Sequence, residues 1–153
     1  MVKKIDHKKQ GKLNKARGAR FEIKVRKDLE EKSWIVAKWM NNLDLEIKKL
    51  IQAKHKFQGI GRPMAIGTGF PDFICFKYNV DLTSTNLNCK VYEVIGVEVK
   101  STGYLSKEEK EKCVWYLENK IFSQILIAFK SKERGKIEYK EFEYHSQAKE
   151  AGV

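Results

Sequence analysis

Two short motifs bring acidic and basic side chains into otherwise apolar segments of the chain. Asp72 follows Pro71 at the start of an apolar, aromatic run, and Glu98 and Lys100 lie two residues apart in a second apolar run. Side chains alternate between the two faces of a β-strand, so Glu98 and Lys100 project from the same face. If the two runs pair as a hairpin, Asp72 lies beside Glu98, and two carboxylates and one ammonium meet at one point.

Such a meeting point predicts a particular chemistry. Paired carboxylates bind a hard cation such as Mg²⁺ through their oxygen atoms. A cation held by Asp72 and Glu98 would neutralise a phosphate and activate a water molecule. Lys100 would then orient or deprotonate that water, or stabilise the negative charge of the transition state.

The same residues also allow an interpretation without catalysis. Glu98 and Lys100 would form a solvated ion pair, worth about 0–1 kcal/mol, and Asp72 would only begin a turn. Against this, the charged pair lies in an otherwise apolar strand that a helix follows and covers. The catalytic interpretation is therefore favoured.

The segments around the motifs predict three helices. Hydrophobic periodicity predicts helices over 14–32 and 43–57, and the buried stripe of the first consists of Phe21, Val25 and Leu29. Ser106, followed three residues later by Glu109, forms a capping box that begins a helix ending near Asn119.

Strands are predicted where β-branched and aromatic residues concentrate. Their ranges are 33–39, 72–78, 91–100, 124–129 and 137–142. The strand–helix–strand step between 91 and 129 predicts a parallel, right-handed crossover. The segment 72–100 predicts an antiparallel hairpin, and the clean alternation of 137–142 predicts an edge strand. The fold class is therefore α/β, with a mixed β-sheet flanked by helices.

The motif Pro71-Asp72, a gap, and Glu98-Val99-Lys100 resemble the signature of the PD-(D/E)XK nuclease superfamily. The order of elements over residues 17–130 is also similar to that of archaeal Holliday-junction resolvase-like members. The resemblance implies a restriction-endonuclease-like fold, Mg²⁺ dependence and hydrolysis of phosphodiester bonds. The additional helix predicted over 43–57 departs from the compact resolvase pattern and leaves junction specificity open.

The resemblance also implies a role for each matching residue. Asp72 and Glu98 would be metal ligands, the Val99 carbonyl an extra ligand, and Lys100 the catalytic lysine. Glu22, in the first helix, would be an outer or second-metal ligand. The alternative for Glu22 is an ion pair with the residue four positions later, Arg26.

Positive charge is concentrated at the start of the chain. Residues 1–27 hold eleven of the 31 Lys and Arg side chains, against only two acids. Such a field attracts polyanions, of which nucleic acid is the commonest; a solubilising tail or an arm on anionic lipid is the alternative. We expect residues 1–13 to form a flexible basic arm. Contacts to nucleic acid are assigned to Lys12, Lys15, Arg17, Arg20 and Lys24.

Composition argues against several other classes of protein. No run of about eighteen apolar residues predicts a membrane span, and residues 1–10 do not resemble a secretory signal. A cytoplasmic location, in the cell or a host cell, is therefore predicted. Cys75, Cys89 and Cys113 are far apart and form no CxxC pair, so neither a disulfide framework nor a structural zinc site is expected.

Taken together, the sequence predicts a Mg²⁺-dependent DNA endonuclease with one nuclease domain over 14–153. Mn²⁺ is expected to substitute for Mg²⁺, and a homodimer would suit the cutting of two strands. Two alternatives stay open: a Holliday-junction resolvase, and a non-catalytic nucleic-acid-binding module of the same fold.

Overall fold

The structure is a computed structural model that describes residues 7–53, 55–56, 65–66, 69–79 and 90–144. Within these ranges the chain forms two helices, α1 (His7–Glu31) and α2 (Lys107–Glu118). The strands in the same ranges are β1 (Ile35–Lys38), β2 (Asn41–Asp44), β3 (Lys49–Gln52), β4 (His55–Lys56), β5 (Ala65–Ile66), β6 (Phe73–Tyr78), β7 (Tyr92–Val99), β8 (Gln124–Lys130) and β9 (Ile137–Glu141).

Five of these strands form a mixed sheet in the order β1-β6-β7-β8-β9. The β7–β8 pair is parallel, and the other three pairs are antiparallel. The hairpin of β6 with β7, the parallel step across α2 and the edge position of β9 all agree with the sequence-based expectations. The predicted α/β class with a mixed sheet is therefore confirmed.

The two helices cover opposite faces of the sheet. The predicted stripe of α1 is buried against alternate residues of β6 and β7, among them Cys75, Ile95 and Val97. On the other face, Cys113 and Tyr116 of α2 pack with Phe122 and Ile125. Because side chains alternate along β7, Glu98 lies on the α2 face, opposite to its neighbour Val97.

Helix α1 begins at His7, earlier than the predicted start at residue 14. Residues 7–13, expected to belong to the basic arm, are therefore helical, and residues 1–6 lie outside the described part. Residues 7–20 are exposed, and the first buried residue of α1 is Phe21. Periodicity could not detect residues 7–13 as part of the helix, because they add no apolar stripe.

The predicted helix over 43–57 is wrong. Residues 41–52 form the antiparallel β2–β3 hairpin. At its turn, Asp44 Oδ1 accepts the backbone N–H groups of Glu46 at 3.0 Å and Ile47 at 3.3 Å, and Lys48 adopts a left-handed φ of 52°. The four-residue spacing of apolar side chains matches a helix, but the turn-forming side chain of Asp44 decided the outcome.

Other expectations fall on segments that the structure describes only in part. Between the β2–β3 hairpin and Gly69, residues 65–66 pair with 55–56, whereas 57–64 and 67–68 lie outside the described residues. The connection 80–89, which includes Cys89, also lies outside them. Cys75 and Cys113 are buried free thiols. No helix within the described ranges is long and apolar enough to cross a membrane.

Candidate active site

The register of β6 and β7 places Asp72 opposite Glu98. The backbone pairing of β6 with β7 ends at Phe73 and Val97. One residue further, hydrogen bonds between side chains and backbone join the two segments. Glu98 Oε2 accepts the backbone N–H of Asp72 at 3.1 Å, and Asp72 Oδ2 accepts the backbone N–H of Val99 at 3.0 Å. The structure thus brings together the two acids that the sequence singled out.

Lys100 joins this pair and connects it to α2. Its Nζ atom lies 3.1 Å from Glu98 Oε1 and 2.6 Å from Glu109 Oε1. The other oxygen of Glu109 accepts the backbone N–H of Ser106 at 2.8 Å and completes the capping box. In the sequence, Glu109 is recognisable only as part of a helix cap. Its place one turn into the helix after the Lys100 strand was the signal for a second role.

Around these side chains lies a cavity of about 390 Å³, here called the acidic cavity. Its lining residues are Glu22, Asn42, Gly69, Phe70, Asp72, Glu98, Val99, Lys100, Ser106, Glu108, Glu109 and Lys112. Five of them are acids and two are lysines. The cavity therefore carries negative charge and would attract a cation.

Lys112 is a lining residue that sequence analysis did not select. It is only 8% exposed, and its Nζ atom lies 2.6 Å from Glu108 Oε1. A lysine is seldom buried unless it is paired. Its position five residues after the capped start of α2, on the side facing the sheet, was the available signal.

The two central acids are deeply buried, with Asp72 8% and Glu98 5% exposed. Burial raises the pKa of Asp72, although the hydrogen bond from the Val99 N–H opposes the shift. Burial, and after it the charge of Asp72, raises the pKa of Glu98 to about 8. Removal from water is the largest cause of both shifts, and a neighbouring carboxylate adds to each: Glu22 for Asp72 and Asp72 for Glu98. A bound cation would relieve the cost of that burial.

The charges of Lys100 and Glu109 reinforce each other. Burial alone would lower the pKa of Lys100, but the hydrogen bonds and charges of Glu109 and Glu98 outweigh it and raise the pKa. For Glu109, burial raises the pKa, whereas the bonds from Lys100 and Ser106 lower it further, so the net shift is downward. The pair is therefore ionised around neutral pH.

Glu22 lines the acidic cavity although it belongs to α1, which covers the face of the sheet opposite to α2. Its Oε2 atom lies 2.5 Å from the Nζ atom of Lys38, and its charge raises the pKa of Asp72. Arg26 instead pairs with Glu30 at 2.8 Å, so the alternative partner expected for Glu22 is wrong. Lys38 was not among the predicted site residues, because its place at the end of β1 is visible in the sequence only as part of a strand.

The segment that precedes Asp72 is fixed by the backbone of the unexpected hairpin. The N–H of Gly69 donates to the Trp39 carbonyl at 3.2 Å, and the N–H of Phe70 donates to the Asn41 carbonyl at 3.0 Å. A Cβ atom at Gly69 would lie 2.1 Å from the Asn41 carbonyl oxygen, so only glycine fits there. The Tyr116 hydroxyl donates to the Phe70 carbonyl at 2.7 Å.

Whether these residues fit a metal ion follows from their donor atoms. Among the residues that the structure describes, no group of three or more His, Cys, Asp or Glu side chains is arranged to hold one. Asp72 and Glu98 do provide two carboxylates. The N–H and C=O of a strand residue point to the same side, so the Val99 carbonyl opens toward Asp72 as its N–H does. Such oxygen donors suit Mg²⁺ or Mn²⁺.

The five residues assigned to nucleic acid all lie on α1 and are exposed: Lys12, Lys15, Arg17, Arg20 and Lys24. None of them lines the acidic cavity. Arg17 lines a separate cavity next to Ser101. These side chains are therefore placed for contacts beside the acidic cavity and not within it.

No protein-family model matches the chain, and no curated protein and no solved structure matches it either. The function of this α/β protein is therefore inferred from the residues of the acidic cavity and from the charge around it.

Proposed function

We propose that the chain is a Mg²⁺-dependent DNA endonuclease that hydrolyses phosphodiester bonds on a restriction-endonuclease-like fold. The observation that carries this proposal is the meeting of Asp72, Glu98 and Lys100 in one negatively charged cavity at the ends of two paired strands. Burying two carboxylates side by side is costly for a fold that gains nothing from them. A bound cation would offset that cost, and a cation-dependent reaction would explain why the two carboxylates are buried together.

Asp72, Glu98 and the Val99 carbonyl would hold the ion, and Glu22 would be an outer ligand after release from Lys38. When bound, the ion supplies Lewis acidity toward the phosphate and acidifies a water molecule. Lys100 donates to both Glu98 and Glu109. These bonds keep its ammonium at the cavity, where it would orient the attacking water or stabilise the developing negative charge.

Substrate binding would depend on the positive charge of α1. Phosphate contacts fix the position of a duplex without reading its sequence, so we propose largely sequence-independent binding. A homodimer would place two such cavities on the two strands. Light scattering of the DNA-bound protein would show a mass of two chains per duplex if this arrangement holds.

One observation favours the non-catalytic alternative. Glu22 and Glu98 both have lysine partners within the protein, Lys38 and Lys100. A binding module of the same fold could retain such pairs as part of its structure. Cleavage, and not binding, therefore has to distinguish the two functions.

The decisive experiment is a cleavage panel of linear duplex, single strand, flap, four-way junction and RNA. Each substrate is incubated with EDTA, Mg²⁺ or Mn²⁺, using the wild type, Lys100→Met and the exposed-lysine control Lys110→Met. We expect metal-dependent cutting of DNA by the wild type and by the control only. Cutting confined to the junction would identify a resolvase. Binding without cutting under any metal condition would contradict the enzyme proposal.

A further inference from the structure

A second cavity, here called the basic cavity, lies between α1 and the ends of β7 and β8. It encloses about 290 Å³. Its lining residues are Asn14, Arg17, Gly18, Phe21, Ser101 and Lys130. Two of these side chains are cations, one is a hydroxyl and one is an amide, and this lining contains no carboxylate. The basic cavity therefore offers hydrogen-bond donors and positive charge, as an anion requires.

Consecutive residues of the chain line the two cavities. Phe21 lines the basic cavity and Glu22 the acidic cavity; likewise, Ser101 lines the basic cavity and Lys100 the acidic cavity. Neighbouring Cα atoms are about 3.8 Å apart, so the two cavities share two short stretches of backbone in their walls.

Within the described part of the chain the two cations of the basic cavity have no acidic partner, and one of them contacts a buried aromatic ring. Lys130 Nζ lies 5.4 Å from the centre of the buried Phe21 ring, an attractive cation–π contact. Arg17 stands one helical turn before Phe21 on α1. The ion pairs found within the described part of the chain involve neither Arg17 nor Lys130.

We propose that the basic cavity binds one phosphate group of a nucleic-acid backbone, next to the phosphate that enters the acidic cavity. Arg17 would contact two oxygens of that phosphate with its planar guanidinium, and Lys130 would act as a point charge. Ser101 and Asn14 would donate the remaining hydrogen bonds. Phosphate binding at the basic cavity does not require the protein to be a nuclease. Only the idea that the neighbouring phosphate, in the acidic cavity, is the one cleaved rests on the proposed function.

The surrounding surface favours nucleic acid over an anionic membrane. A helix that lies on a membrane needs a broad apolar face. The exposed segment 7–20 has a single large apolar side chain, Leu13. The same segment has no acid and continues the positive charge through Lys12 and Lys15. Such a row of cations matches a chain of regularly spaced phosphates.

The test compares two double variants that remove the same charge. Arg17→Gln with Lys130→Gln changes the basic cavity, and Lys132→Gln with Arg134→Gln changes exposed residues of the β8–β9 turn. Affinity for a fluorescent DNA duplex is measured in EDTA at several salt concentrations. We expect the first variant to bind about tenfold more weakly and its salt slope to fall by about 0.9, the contribution of one phosphate. The control should lose about twofold or less.

Equal losses in both double variants would show that only net charge matters, and would overturn the proposal. All four residues are exposed, and the thermal midpoint of each variant confirms folding. If the first double variant is unstable, Arg17→Gln against Arg134→Gln makes the same comparison. EDTA prevents metal-dependent cleavage, so this experiment measures binding alone. Its result therefore tests the basic cavity independently of whether the protein is a nuclease.

Amide chemical shifts identify the source of the phosphate. Gly18 and Ser101 of ¹⁵N-labelled wild type are followed during titration with inorganic phosphate and, separately, with the duplex. Shifts of both amides with the duplex support the proposal, and weaker shifts with inorganic phosphate would accompany them. Shifts with inorganic phosphate alone would mean a site for a free anion and would overturn the assignment to a nucleic-acid backbone.

Discussion

Asp72 and Glu98 each accept a hydrogen bond from the backbone of the other's segment. The Glu98 carboxylate accepts the N–H of Asp72 at 3.1 Å, and the Asp72 carboxylate accepts the N–H of Val99 at 3.0 Å. The exchange continues the β6–β7 pairing by one step beyond the ladder. Each carboxylate thus has a structural role as well as a proposed catalytic one. Deleting the Glu98 side chain would leave the buried N–H of Asp72 unpaired, at a cost of about 1–3 kcal/mol, and deleting the Asp72 side chain would leave the half-buried N–H of Val99 unpaired.

Amide substitutions separate these two roles. Asp72→Asn and Glu98→Gln keep an oxygen acceptor for the backbone N–H but remove the charge that would hold a metal ion. We expect each to lower single-turnover DNA cleavage by about 10²-fold or more, while duplex affinity in EDTA is retained. Glu111→Gln, an exposed acid on α2, is the matched control. Near-wild-type cleavage by either variant would rule out the proposed site.

The shared position of Glu109, between Lys100 and the capping box, predicts two separable effects. Ser106→Ala removes half of the cap and should lower the free energy of unfolding by about 1 kcal/mol, leaving the cleavage rate of the folded enzyme unchanged. Glu109→Gln should lower stability similarly and also slow cleavage about tenfold, because Lys100 loses a charged partner. Denaturant unfolding and single-turnover rates measure the two quantities. Equal rates in both variants would show that Glu109 only caps the helix.

The raised pKa of Glu98 predicts how the metal-free protein responds to pH. Between the ordinary value of 4.5 and about 8, the folded state retains a proton that the unfolded state releases. Stability in EDTA should therefore fall as pH rises through this window, by at most about 1.4 kcal/mol per unit. Urea unfolding at pH 5 to 8 measures the slope. Glu98→Gln should reduce it, leaving the smaller contribution of Asp72; an unchanged slope would contradict the assignment.

Mg²⁺ should reverse this instability, since a bound cation favours the ionised acids. At a concentration a hundred times the dissociation constant, a ligand that binds only the folded state adds about 2.7 kcal/mol. We expect Mg²⁺ to raise the thermal midpoint of the wild type and of Glu111→Gln at matched ionic strength, and to raise it more at pH 8 than at pH 6. Glu98→Gln should show little increase. A similar increase in all three proteins would indicate non-specific binding.

Several elements were predictable because their signals are local. The strands with concentrated β-branched residues, the Ser106–Glu109 cap and the stripe of α1 all correspond to observed elements. The β2–β3 hairpin was not predicted, because its apolar spacing also fits a helix and the side chain of Asp44 decided between them. Residues 7–13 of α1 gave no periodic signal, since no face of that segment is buried.

The residue pattern of the chain identified the side chains that could take part in chemistry. It also determined their approximate meeting, because strand alternation places Glu98 and Lys100 on one face and a hairpin brings Asp72 to them. Only the tertiary structure decided their partners: Lys38 for Glu22, Glu109 for Lys100, and Lys112 at the wall of the acidic cavity. The physical reason is that these contacts join separate elements across the end of the sheet. Their distances depend on how helices pack against strands, which periodicity along one segment does not contain.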